Sequence, residues 1–243
     1  MCERCETQRF QISRRHVLAG APALLAASAL PFGFAHAEIK PSTKPAPNAI
    51  PPAEALDKVM QGNARYAANT PNERDFSAGR AARAESQFPI AAVVSCSDSR
   101  VMPDLVFDQS PGSLFVVRLA GNIVDDDAYA SLEYAVKFLG VPLILVLGHS
   151  NCGAVAAAIK VVMERAELPG HLPDLIKAIE PAVIAAHGRH PGDLLAAAIE
   201  ENVRHSLKQL IEDVPIVSDA LAAKTVALSG GVYDIATGKV TLI

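Results

Sequence analysis

The sequence is poor in long apolar runs, in basic charge and in cysteine, and these shortages exclude several classes of protein. The apolar segment nearest the N-terminus, Val17 to Leu30, holds about 14 residues and contains Pro22, whereas a membrane-spanning helix needs ~20. Acidic residues outnumber basic ones by 26 to 22, which disfavours a nucleic-acid partner. The composition, with 50% apolar residues, shows no bias towards disorder, collagen or coiled coil, and it suffices for one sizeable core.

The first 37 residues are predicted to be a twin-arginine export signal. Ser13-Arg14-Arg15 precedes an Ala- and Leu-rich stretch that ends in Ala35-His36-Ala37, and such a signal is cleaved after Ala37. The mature chain would then be periplasmic or otherwise exported, with the twin-arginine translocase as a transient partner. Cleavage would remove Cys2 and Cys5, four Arg and two Glu, which leaves two cysteines and 18 Lys+Arg against 24 Asp+Glu.

Residues 38–52 and 53–243 are predicted to differ in organisation. The stretch 38–52 is rich in Pro, Ala and Lys and has no apolar period, so we predict an extended linker that does not pack. From residue 53 onward, stretches with helical apolar spacing alternate with continuous apolar runs. This pattern indicates a single globular domain.

Continuous apolar runs indicate strands that are buried on both faces of a parallel sheet. Three of them span Ile90 to Ser95, Leu114 to Leu119 and Val141 to Leu147. A fourth strand is predicted at Thr225 to Leu228, followed by a glycine turn and a terminal hairpin that ends at Ile243. The alternation of strands and helices predicts an α/β fold with a mainly parallel sheet and flanking helices.

Chemically distinctive residues follow the first and the third of these strands. Cys96-Ser97-Asp98-Ser99-Arg100 closes the first run, and His149-Ser150-Asn151-Cys152 follows the third. The carboxyl ends of parallel strands lie at one edge of a sheet, where α/β proteins bind ligands. We therefore expect the two segments to meet there, and we expect Ser150 to cap the helix that begins near Cys152.

Cys96, His149 and Cys152 supply thiolate and imidazole donors, which are ligands that zinc prefers. Three protein ligands leave a fourth position open for water, whose pKa falls from ~16 towards ~7 on the metal. Asp98 either takes that fourth position, which closes the site, or pairs with Arg100, which holds it off the metal. In the second case Asp98 would orient the metal-bound hydroxide.

Two other interpretations use the same thiols. A disulfide between Cys96 and Cys152 is the common arrangement in an exported protein with two cysteines. Alternatively, a cysteine acts as a nucleophile with His149 as its base. The disulfide does not explain why Asp98, Arg100 and His149 share the same strand ends. The nucleophile leaves Cys152 without a role, so the spacing favours a metal site.

With these motifs the sequence resembles the β-class carbonic anhydrases, from about Glu54 to the C-terminus. Cys-Ser-Asp-Ser-Arg followed by His-Ser-x-Cys-Gly is highly specific to that family. The resemblance implies a zinc enzyme that interconverts carbon dioxide and bicarbonate through zinc-bound hydroxide. It also implies an α/β fold with a mostly parallel four-stranded core sheet and a C-terminal hairpin strand. The family forms an obligate homodimer, or a higher even oligomer, in which N-terminal helices embrace the partner.

The resemblance also implies roles for individual residues. The three donor residues match the zinc ligands, and Asp98 and Arg100 match a dyad that opens or closes the fourth zinc position. The residues implied to line the substrate pocket are Gln87, Phe115, Tyr134 and Gly153. Without the resemblance, core packing would be the simpler role for the two aromatic residues.

Two alternative functions stay open at this point. A hydrolase of a carbon dioxide analogue, such as carbon disulfide, would use the same zinc-bound hydroxide. A zinc-stabilised binding protein without catalytic activity would keep Asp98 on the metal at every pH.

Overall fold

A five-stranded sheet forms the centre of the computed structural model, which describes residues 45–243. The strands are β1 Ala91–Ser95, β2 Leu114–Arg118, β3 Leu143–His149, β4 Ala227–Tyr233 and β5 Val240–Leu242. They lie in the order β2-β1-β3-β4-β5, with the first four parallel and β5 antiparallel to β4. The predicted α/β fold, with a mostly parallel four-stranded core and a C-terminal hairpin strand, is confirmed.

Helices cover both faces of the sheet in the described part of the chain. They are α1 Pro52–Ala67, α2 Arg80–Glu85, α3 Pro103–Val106, α4 Asp126–Lys137, α5 Gly153–Glu164, α6 Leu172–Gly188, α7 Leu194–Glu212 and α8 Pro215–Ala222. Alternate strand residues point to opposite faces, so one face of β1 packs towards α1 and α3 and the other towards α4, α7 and α8. Within residues 45–243, no helix is both long enough and apolar enough to cross a membrane.

β4 runs unbroken through Gly230 and Gly231, where the sequence predicts a turn after Leu228. A Cβ atom at Gly230 would lie 2.8 Å from side-chain carbons of both Leu207 and Val203. The glycine therefore allows α7 to pack directly against the strand, and it does not end the strand. This packing could not be read from the local sequence, in which two glycines are typical of a turn.

The end of the predicted linker packs against the domain, which contradicts the expectation that residues 38–52 do not pack. Asn48 is buried, and its Nδ2 donates to the carbonyl oxygens of Pro89 at 3.0 Å and Leu139 at 2.7 Å. Ile50 packs against the apolar cluster beneath α1. The remainder of the linker up to residue 44, and the signal predicted for residues 1–37, lie outside the described residues.

A buried carboxylate ties α1 to the segment that follows α3. Asp108 is buried and accepts a hydrogen bond from Nε of Arg65 in α1 at 2.6 Å. It also accepts bonds from the guanidinium of Arg74 and from the backbone N–H of Asn72 at 3.2 Å. Burial raises the pKa of Asp108, but these donors outweigh burial and hold the pKa below its usual value.

Asp108→Asn is expected to lower the free energy of unfolding at neutral pH by about 2–4 kcal/mol, because it leaves two arginines without their buried partner. Asp57→Asn, on the exposed face of α1, is the matched control and should change stability by less than about 0.5 kcal/mol. Since the native pKa is below the unfolded value of about 4, the stabilisation is present above that value. It is lost as the pH falls through the native pKa.

Urea unfolding of the Asp108 variant and the wild type, at neutral pH and below about pH 4, measures this difference. The gap between the two proteins should narrow on acidification. A gap of equal size at both pH values would mean that the carboxylate charge contributes nothing to stability.

Candidate metal centre

The carboxyl ends of β1 and β3 bring the two sequence motifs together. The strands pair in parallel with Ser95 opposite Leu147, so Cys96 leaves β1 close to the point where His149 ends β3. Cys152 follows a short turn and stands directly before α5. The ligand atoms of the two cysteines and the histidine all lie within 4.8 Å of one another, and all three residues are buried.

The imidazole of His149 is oriented for metal binding. Its Nδ1 lies 2.9 Å from the backbone oxygen of Ser150. Because a carbonyl oxygen only accepts, Nδ1 carries the proton and Nε2 keeps its lone pair. Nε2 is buried and has no hydrogen-bond partner among residues 45–243, which is unfavourable for a nitrogen unless a ligand binds there. The donor set therefore fits a borderline-soft metal ion such as zinc.

Cys96 and Cys152 are both free cysteines in the described chain, so the structure does not contain the disulfide that the sequence leaves open. The N–H of Gly121 donates a hydrogen bond to Sγ of Cys96 at 3.2 Å. The neighbouring Cys152 thiol lowers the pKa of Cys96 against the opposing effect of burial. Cys96 and burial together raise the pKa of Cys152. Because a metal ion binds thiolates, its binding would displace any proton that remains on the two sulfurs.

Arg100 holds Asp98 in a bidentate pair beside the donor set. Nε and Nη2 of Arg100 donate to the two carboxylate oxygens at 2.9 and 2.7 Å, and its backbone N–H donates at 2.9 Å. The Arg100 side chain is the main reason that the pKa of Asp98 lies well below its usual range. Oδ2 of Asp98 lies 3.9 Å from Nε2 of His149. The pair between Asp98 and Arg100 that the sequence suggests therefore forms in the structure.

Arg118, the last residue of β2, supports the backbone of the first motif, although the sequence did not identify it as a site residue. Its Nε donates to the carbonyl oxygen of Cys96 at 3.1 Å, and its Nη2 donates to that of Asp98 at 2.7 Å. The sequence feature that could have identified Arg118 is its position: it is a charged residue at the end of an apolar run that pairs with β1. Such a residue lies at the ligand-binding edge of a parallel sheet.

Ser150 does not cap α5, in contrast to the sequence expectation. The helix begins at Gly153 after Cys152, without a side-chain cap. The Ser150 hydroxyl instead accepts the backbone N–H of Ile235 at 3.0 Å. It thereby ties the turn between β4 and β5 to the segment that carries His149.

The residues implied to line the substrate pocket are not all brought together within one chain. Gly153 opens α5 next to the donors. Phe115 is the second residue of β2, about 10 Å from the carboxyl end of that strand. Tyr134 lies beside Phe115, with the ring centroids 6.4 Å apart, and Gln87 precedes β1. Phe115, Tyr134 and Gln87 therefore lie away from the donor atoms of their own chain.

The fold and the site together define an α/β protein with a Cys, His, Cys metal centre at the carboxyl ends of its parallel strands. A family model described as carbonic anhydrase matches residues 91–240. The chain belongs to the carbonic anhydrase family, in its β class, and is a carbonic anhydrase.

Individual relatives agree with this assignment. The carbonic anhydrase of Mycolicibacterium smegmatis is 38% identical over 81% of this chain and 95% of its own length. Carbonic anhydrase 2 of Mycobacterium tuberculosis is 35% identical over 79% of this chain and 92% of its own length. Among solved structures, the Coccomyxa β-carbonic anhydrase in complex with acetazolamide is 27% identical, with a TM-score of 0.61 over 79% of this chain and 82% of that chain.

Proposed function

We propose that this carbonic anhydrase holds one zinc ion on Cys96, His149 and Cys152 and catalyses the reversible hydration of carbon dioxide to bicarbonate and a proton. The observation that carries the proposal is the buried Nε2 of His149, which has no protein partner in the described chain and lies beside the two sulfurs. Zinc held by these residues would lower the pKa of a water molecule at the fourth position towards about 7, which would supply a deprotonated nucleophile for carbon dioxide near neutral pH.

Asp98 acts as a hydrogen-bond acceptor that orients the attacking water. Arg100 occupies both of its carboxylate oxygens and so keeps the fourth metal position open. Because the pKa of Asp98 is low, the group stays ionised and accepts a hydrogen bond throughout the working pH range. The dyad thus controls access to the fourth position by holding the carboxylate in one place.

Stopped-flow hydration of carbon dioxide, with zinc assayed on the same sample, tests the proposal on the chain from Glu38 onward. We expect about one zinc per chain and hydration at about pH 7 and about pH 8.5. Activity at the higher pH only would indicate that Asp98 closes the site. Stoichiometric zinc without hydration at either pH would contradict the proposed reaction and would favour an analogue hydrolase or a binding role.

Arg100→Leu is expected to lower hydration at neutral pH about 10–100-fold with zinc retained. The released Asp98 carboxylate, already next to His149, would compete with water for the fourth position. Since hydroxide competes better at high pH, the loss should be smaller near pH 8.5 than near pH 7.

Arg204→Leu is the matched control for Arg100→Leu. Arg204 is a similarly exposed arginine of α7 that pairs with Glu200 on the surface, and its loss should leave the pH profile unchanged. An Arg100→Leu enzyme with the wild-type profile would mean that the dyad does not control the metal.

A second copy of the chain completes the pocket in this proposal. Tyr134 and Phe138 are 45% and 75% exposed, with ring centroids 5.4 Å apart, and an exposed aromatic row of this kind marks an interaction surface. Tyr134 and Phe115 are also the residues that the family resemblance assigns to the substrate pocket. Because they lie away from the donors of their own chain, a partner copy in a homodimer is the source that brings them to the metal.

The enzyme acts outside the cytoplasm in this proposal. The support is the sequence alone: Ser13-Arg14-Arg15, the Ala- and Leu-rich stretch and Ala35-His36-Ala37. The twin-arginine route carries folded proteins, so the two metal-binding thiols could bind zinc in the reducing cytosol before they meet an oxidising compartment. N-terminal sequencing of the exported protein tests the proposal, with a first residue of Glu38 expected.

A further inference from the structure

Two buried polar residues interrupt the apolar face that α7 packs against the sheet. Asn202 and Ser206 are each 1% exposed and lie one helical turn apart on the same face. Nδ2 of Asn202 donates to the carbonyl oxygen of Gly121 at 2.6 Å, and Oγ of Ser206 donates to that of Asn122 at 3.1 Å. One helix therefore holds two consecutive carbonyls of a single short turn.

That turn, Ala120–Asn122, carries the N–H that donates to a metal-binding sulfur. The backbone nitrogen of Gly121 lies 3.2 Å from Sγ of Cys96. Gly121 and Asn122 have φ values of 72° and 46°, in the left-handed region. Glycine adopts this region freely, whereas Asn122 is a non-glycine residue and keeps it where the surroundings stabilise it. The N–H of Asn122 closes the turn onto the carbonyl oxygen of Leu119 at 3.0 Å. α7 thus fixes the turn, and the turn directs its N–H towards the sulfur.

The side-chain amide of Asn202 does not stabilise the apolar core around it. Its Oδ1 is buried and has no hydrogen-bond partner among residues 45–243, and an unpartnered buried amide oxygen destabilises a fold. An apolar residue would continue the face formed by Ile199 and Val203 without that penalty. The bond from Nδ2 to Gly121 therefore points to a role at the metal centre and not in packing.

We propose that Asn202, supported by Ser206, is a positioning residue that aims the N–H of Gly121 at the sulfur of Cys96. The inference rests on the zinc site of the proposed function. A hydrogen bond to a metal-bound thiolate withdraws negative charge from the sulfur and fixes its orientation. Asn202 therefore tunes how tightly the centre holds its metal and how much charge the sulfur donates to it.

The test compares Asn202→Ala with Leu210→Ala. Leu210 is a buried residue about two turns further along α7 that packs only in an apolar cluster. Zinc affinity is measured on each purified zinc-loaded protein by competition with a chromophoric chelator. Each protein is also loaded with cobalt(II), and the charge-transfer absorption from thiolate to cobalt is recorded.

We expect Asn202→Ala to weaken zinc binding about 10–100-fold and to shift the cobalt absorption band. Leu210→Ala should lower the melting temperature and leave both metal readouts at wild-type values. An Asn202→Ala protein with wild-type zinc affinity and a wild-type cobalt spectrum would overturn the inference, and it would not contradict the proposed function. A wild-type chain that binds no zinc overturns the proposed function itself.

Asn202→Val decides the matter if Asn202→Ala does not fold. Valine continues the apolar face of Ile199 and Val203 and fills more of the space of the amide than alanine does, but it cannot donate to the carbonyl oxygen of Gly121. A shifted cobalt band with folded protein supports the proposal, and an unshifted band overturns it.

Discussion

Replacing Cys96 with serine is expected to remove zinc and to lower the rate of carbon dioxide hydration by at least about a thousandfold. A serine hydroxyl is not ionised at neutral pH, and a neutral oxygen is a poor replacement for a thiolate in a soft donor set. The loss should be specific to the centre, because Sγ of Cys96 lies within 4.8 Å of the other donor atoms and accepts the N–H of Gly121. Atomic absorption and stopped-flow hydration on the same sample provide the measurement.

Ser97→Ala is the matched control for this substitution. Ser97 is the next residue in the chain, and its side chain is exposed. Its backbone N–H donates to the carbonyl oxygen of Leu119, a bond that the substitution keeps. The control should keep wild-type zinc and activity, whereas Cys152→Ser should behave like Cys96→Ser. Full zinc and activity in Cys96→Ser would contradict the metal centre. A wild-type protein that contains neither zinc nor free thiols would instead support the disulfide.

Tyr134→Ala and Cys96→Ser subunits, which are each impaired for a different reason, are expected to recover activity when they are mixed. Tyr134→Ala leaves the donor set intact and should lose at least about tenfold in activity with zinc retained, whereas Cys96→Ser keeps Tyr134. In a mixed dimer, the intact metal centre of one copy meets the intact Tyr134 of the other. Dissociation and random reassociation of equal amounts should recover about a quarter of wild-type activity, because half of the dimers are mixed and each holds one complete site.

The control for subunit mixing uses an exposed aromatic residue outside the aromatic row. Phe76 is 59% exposed, and Phe76→Ala should retain wild-type activity by itself. Differently tagged copies show whether subunits have exchanged. If exchange occurs and the mixture of Tyr134→Ala with Cys96→Ser is no more active than its parts, the second copy does not supply Tyr134.

The sequence by itself determined the donor set and the class of fold. Cys96 and the pair His149 and Cys152 follow apolar runs of strand length, and both the softness of the ligands and the burial of such runs are properties of the residues themselves. The parallel arrangement of those strands then requires their carboxyl ends to meet at one edge. Short elements such as α3 and α8 escaped prediction because one or two turns show little apolar periodicity.

Only the tertiary structure showed which contacts support the centre. The sequence allowed Asp98 to ligate the metal or to pair with Arg100, and the folded turn brings the arginine onto both carboxylate oxygens. Asn202 and Gly121, which meet behind Cys96, are 81 residues apart in the chain. Contacts of this kind depend on how helices pack on a sheet, and they cannot be predicted from the spacing of residues along the chain.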